Sequence, residues 1–143
     1  MILIIDNNRS DITIEGFQTI VTEEYSKHDV LTYPEHKWHH PVEMCEKVLE
    51  YITSRSSNDE ISHIITRSNI LLDYLRREVA RKNIPPFDGL SVTGKEIEKF
   101  SMSETGFVSP WPEKSEILNF SMKIAEDTFR IQVENLKNKK DIK

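Results

Sequence analysis

The chain has one cysteine, four glycines and no apolar run approaching the roughly 20 residues that cross a bilayer. A single Cys45 excludes an intramolecular disulfide. Gly occurs only at positions 16, 89, 94 and 106, so no closely spaced set exists to wrap backbone N–H groups around a phosphate. Gly94-Lys95 is followed by Glu96 rather than Ser or Thr, which marks a turn and not a nucleotide loop. Positive charge is also short: 19 Lys and Arg face 24 Asp and Glu, for a net charge of −5. Bulk electrostatics of that sign do not hold nucleic acid, which would need a local basic patch. The start, Met1-Ile2-Leu3-Ile4-Ile5-Asp6, has neither the basic flank nor the small-residue cleavage site of a secretory leader. The expected compartment is the cytoplasm, with no membrane contact.

What is present suits one compact domain. With 143 residues, 37% of them hydrophobic, the chain is long enough to bury a core. We read residues 1–136 as a single α/β domain and 137–143 as a charged tail that frays. Apolar runs bounded by polar turns alternate with segments of helical period. Ile2 to Ile5 reads as a strand closed by the turn-rich Asp6-Asn7-Asn8-Arg9-Ser10, with Ile12 and Ile14 as a return arm. Phe17, Ile20 and Val21 suit a short helix, and Val30 to Thr32 a strand. Pro41 fits a first helical turn after a His40 cap, followed by Val42, Cys45, Val48, Leu49 and Ile52 at helical spacing. Ser56 to Asp59 break that helix, and Ile61 to Thr66 reads as a buried strand. Ser68 or Asn69 caps a helix with Leu71, Leu72, Leu75 and Val79 inward. Gly89 to Thr93 and Ile97 to Ser101 form two strands around Gly94. A last helix starting near Ser115 carries Leu118, Met122, Ala125, Phe129, Val133 and Leu136 as its main stripe, with Ile117, Phe120, Ile124 and Ile131 outside it.

The expected fold is therefore a small, three-layer-like α/β domain. Its sheet is short and mostly parallel, flanked by helices, with a β-hairpin near 89–108 and a C-terminal helix.

Two segments carry a family resemblance. Val30-Leu31-Thr32-Tyr33-Pro34-Glu35, then His36 to Pro41 and a helix, resembles the Walker B strand and its sequel in stand-alone ABC-type ATPases of the RecF, SMC and overcoming-lysogenization-defect families. Thr66-Arg67-Ser68 followed by Leu71-Leu72 resembles their Thr-His-Ser switch and the helix after it. Gly16-Phe17-Gln18 falls where that family has its signature loop, and Gly106 to Pro112 resembles the tail of one branch. The resemblance spans roughly residues 12 to 115 and corresponds to the C-terminal half of such a domain.

The departures decide what the resemblance implies. The family ends its Walker B strand in two acidic residues, one for magnesium and one for the attacking water. Here those positions are Thr32 and Tyr33. Neither side chain is an anion near neutral pH, since Tyr ionises only near pH ~10. The switch His is replaced by Arg67, which can meet a phosphate but cannot act as a neutral imidazole. Thr32, Tyr33, Glu35, Thr66, Arg67 and Ser68 thus mark degenerate ATPase positions, with no catalytic residue and no cofactor among them.

Two other groups compete for attention. His36, His39 and His40, near Glu35, Glu43 and Cys45, could in principle hold zinc, though their spacing matches no established signature. Arg76, Arg77 and Arg81 on one helix, with Lys82 beyond, could form a contact patch, and Trp38 could anchor an interface. The expectation that follows is a non-catalytic, ATPase-derived protein, a regulator or decoy, acting by binding another macromolecule. Another protein is the expected partner, and a homo-oligomer is open. The alternatives are a metal-assisted hydrolase built on the His36, His39 and His40 cluster, and a half-ATPase subunit completed by a partner chain.

Overall fold

The structure, a computed structural model, describes residues 1–8, 30–54 and 63–141. The proposed return arm at Ile12 and Ile14, the helix at 16–25 and the break at 56–59 lie outside the described residues. The elements in chain order are β1 (Ile2–Asp6), β2 (Val30–Thr32), α1 (Pro34–Lys37), α2 (Pro41–Ser54), β3 (His63–Thr66), α3 (Asn69–Ala80), β4 (Asp88–Thr93), β5 (Glu96–Met102), β6 (Val108–Ser109) and α4 (Glu116–Asp141). They build a mixed α/β fold around one six-stranded sheet in the order β2-β3-β1-β4-β5-β6. β2, β3, β1 and β4 run parallel, whereas β4, β5 and β6 form an antiparallel meander that includes the expected hairpin.

The period-two alternation of β1 assigns its residues to the two faces. Leu3 and Ile5 join Ile64 on the face covered by Met44, Cys45, Val48 and Ile52 of α2 and by Leu71, Leu72, Leu75 and Val79 of α3. Ile4 and Ile65 lie on the opposite face with Tyr33, Leu90 and Val92. The α3 stripe is therefore buried as its spacing predicts; of the α2 stripe Cys45, Val48 and Ile52 are buried, whereas Val42 is 58% exposed, Leu49 is half-buried and Met44 joins the core.

The α3 ends follow from local chemistry. Ser68 accepts a hydrogen bond from the Leu71 N–H at 3.2 Å, supplying the side-chain cap. At the other end, Lys82 turns left-handed with φ 66° and Asn83 donates to the buried Glu78 carboxylate at 2.6 Å.

The last helix departs from its expected packing. Of the stripe from Leu118 to Leu136, only Leu118 is buried, and no residue from Asn119 to Lys139 is. Instead of lying on the sheet, α4 leaves the body after its first turn and runs to Asp141, into the segment expected to fray. The reason lies in its anchor. Ser115 accepts from the Leu118 N–H at 3.2 Å and donates to Asn7 Oδ1 at 2.7 Å, fixing the start of α4 at the carboxyl end of β1.

Candidate functional site

Parallel strands bring their carboxyl ends to one edge of a sheet, which is where α/β proteins gather functional side chains. Here β2, β3 and β1 deliver Tyr33, Thr66-Arg67 and Asp6 to that edge. The register places Thr32 beside Ile65 and Ile5 beside Thr66, so the two motif-like segments lie side by side.

Asp6 is the centre of the cluster and is almost wholly buried at 2% exposure. Its Oδ2 accepts the Tyr33 hydroxyl at 2.5 Å and lies 3.3 Å from Arg67 Nε and 3.2 Å from Arg67 Nη2. Its Oδ1 accepts the Asn8 backbone N–H at 3.0 Å and the Asn8 side-chain amide at 2.9 Å. Both carboxylate oxygens are thus occupied by donors within the chain. The Arg67 guanidinium also lies 5.1 Å from the centre of the Tyr33 ring, and His36 stacks on that ring at 5.2 Å.

Glu35 performs a second closure. One oxygen accepts the Thr66 hydroxyl and the other the Arg67 backbone N–H, each at 2.8 Å. Thr66 Oγ1 in turn accepts the Ser68 N–H at 3.0 Å, so the cluster runs directly into the α3 cap.

Tyr33 is held in an uncommon backbone state. Its φ of 45° and ψ of 64° are left-handed, a region costly for an aromatic residue and further disfavoured by the following Pro34. Two restraints offset that cost: the Tyr33 N–H donates to the Ile65 carbonyl at 2.7 Å, and its hydroxyl is tied to Asp6. Burial, then the hydrogen bond to Asp6 and the charge of that carboxylate, push the phenol well above its ordinary value of 10.0. The hydroxyl is a fixed proton donor rather than a base.

A pH dependence follows from that shift. The folded state holds the Tyr33 proton more tightly than the unfolded chain does, so its contribution is complete below pH 10 and is lost as pH rises through the folded value. Urea unfolding from pH 9 to about 11 should show falling stability, with a shallower fall in a Tyr33→Phe variant. Burial also raises Cys45 and Tyr74, so the Phe variant keeps part of the slope. Equal slopes in the two chains would refute this role for Tyr33.

Of the residues singled out from sequence, the structure brings together Tyr33, Glu35, Thr66, Arg67 and Ser68, while Thr32 lies half-buried behind them in β2. It does not assemble the histidines into a metal site. His36, His39 and His40 are all exposed, and among the described residues no group of three His, Cys, Asp or Glu side chains is placed to hold an ion. His40 instead faces the first turn of α2, its Nδ1 3.5 Å from the Glu43 N–H.

The expected interface residues have intramolecular roles too. Trp38 is half-buried against the core, with Lys37 Nζ 4.8 Å from its ring centre. Arg76 Nε donates to the Gly106 carbonyl at 2.9 Å, and its guanidinium stands 5.7 Å from the Trp111 ring. Arg77 and Arg81 each lie 3.5 Å from the buried Glu78.

Sequence reasoning missed Asp6 and Asn7, which it assigned to a turn. The available signal was an acidic residue directly after the apolar run Ile2 to Ile5, at the end of a strand. Asn7 is buried and joins three elements: its amide donates to Ser91 Oγ at 2.8 Å, and its Oδ1 accepts from Ser115 and from the Ile117 N–H at 3.3 Å. Beside this network, a groove of about 770 Å³ opens between the starts of α3 and α4, lined by Arg67, Asn69, Lys114, Ile117, Phe120 and Ile124. Comparison of the chain with protein-family models, curated proteins and solved structures finds no match.

Proposed function

We propose that this chain is a non-catalytic, ATPase-derived interaction protein, a regulator or decoy that acts by binding another macromolecule. The observation that carries this reading is the closed network around Asp6. At the edge where an ATPase would present an anionic metal site and a base, both Asp6 oxygens take donors from Tyr33, Arg67 and Asn8. Arg67 supplies the positive charge from within the chain, 3.2 Å from the carboxylate. Hydrolysis of a phosphoanhydride needs metal-held phosphates and a positioned water. A carboxylate already neutralised by a guanidinium and a phenol supports neither, and serves instead to lock three strand ends together.

Titration calorimetry with ATP and magnesium, paired with phosphate-release measurements, tests the reading. The expected result is no micromolar binding and no turnover. Micromolar binding accompanied by turnover by the isolated chain would end it.

A further inference from the structure

From Asn119 to Lys139, α4 makes a helix about 30 Å long at 1.5 Å per residue, with no residue buried. In proteins, most helical stability comes from packing an amphipathic face rather than from intrinsic propensity. Here α4 carries large apolar side chains of one stripe into solvent: Met122 is 52% exposed, Phe129 68% and Leu136 61%. Such a helix is stable when its apolar stripe meets another surface.

The spacing along the stripe identifies that surface. Met122, Ala125, Phe129, Val133 and Leu136 follow one another at intervals of three, four, four and three, so the stripe reads the same in either direction about Phe129. A two-fold contact requires a patch that complements itself. We infer that α4 pairs antiparallel with α4 of a second copy of this chain, centred on Phe129. In that register Phe129 meets Phe129, Met122 meets Leu136 and Ala125 meets Val133, an entirely apolar seam with the small Ala125 opposite a branched side chain.

The flanks are compatible with the same register. On one side of the stripe, Glu126 of one copy comes beside Arg130 of the other, and the two-fold repeats that opposite-charge pair. On the other side lie Ser121, Thr128 and Gln132, which carry no charge to repel. Arg130 is available for such a pair because its present partner is Asp127 of the same exposed face, at 3.4 Å. The inference rests on α4 alone and not on the loss of nucleotide chemistry, so either can fail without the other.

Sedimentation equilibrium of the full chain tests it. The expected mass is twice 16.8 kDa, shifting to 16.8 kDa for Phe129→Asp with the circular dichroism of the body retained. Register is read separately by oxidising a mixture of Met122→Cys and Leu136→Cys chains, where crosslinks between 122 and 136 are expected. Cys45 is buried and does not compete. A monomer at high micromolar concentration, an assembly larger than a dimer, or crosslinks joining 122 to 122 would each overturn the proposal.

Discussion

Replacing Arg67 by Met is expected to destabilise the fold by about 3 kcal/mol, the range for a buried charge that loses its partner. Asp6 is the charge concerned: its side chain is 3% exposed, against 27% for Arg67. The carboxylate keeps the Tyr33 hydroxyl and both Asn8 donors, which places the loss at the lower end of that range. The substitution also removes the cation lying over the Tyr33 ring, at a residue whose left-handed backbone depends on its side chain being tied down. Urea midpoints measure the effect, with the slope of the transition as a check that the unfolded state has not changed. The companion chain, Asp6→Ala with Arg67→Met, removes both charges and should lose less than the two single changes added, by roughly 1–3 kcal/mol of coupling. Additive losses would show that the ion pair contributes nothing of its own.

The second large effect concerns Gly89 in β4. Gly89 lies opposite Phe100 across the antiparallel β4–β5 pair, and the Phe100 ring sits directly over it, 2% exposed. A Cβ at residue 89 would overlap three ring atoms of Phe100. The ring cannot swing clear because it belongs to the main core with Phe87, Met102 and Leu118. Gly89→Ala is therefore expected to cost about 3 kcal/mol, the upper part of the usual overpacking range. Thermal or urea unfolding reads it directly. A second chain combining Gly89→Ala with Phe100→Leu should be more stable than the two separate losses predict, because the smaller side chain relieves the clash that Ala creates. A Gly89→Ala chain within about 0.5 kcal/mol of the parent would mean that the ring moves aside freely.

The contrast between these positions shows which parts of the architecture could be read in one dimension. The α3 stripe of Leu71, Leu72, Leu75 and Val79, the Ser68 cap and the turn at Gly94 are set by spacing and by residue type within a few positions. All three appear where expected. Tyr33, Glu35, Thr66 and Arg67 could be picked out because two short segments, read together, resemble a known pair of motifs. Their partner Asp6 could not, since it lies 27 residues from Tyr33 and 61 from Arg67 and meets them only because β1 lies between β3 and β4. Nothing local to Ile2 to Asp6 states that strand order. The histidines show the converse: closeness in sequence does not by itself bring side chains together, since His36 belongs to α1 and stacks on Tyr33 while the exposed His40 lies against the first turn of α2.

Sequence by itself determined that the chain is α/β, where most of its strands and helices begin and end, and that Thr32 and Tyr33 at the end of β2 are not acidic. Periodicity and turn chemistry act over a few residues, and they carry that much. Only the tertiary structure decided that a carboxylate from β1 enters the cluster and meets Arg67. It also decided that α4 departs from the sheet. An amphipathic stripe fixes which face of a helix must be covered; the Ser115–Asn7 anchor, formed between residues 108 apart, sets the direction in which that face points.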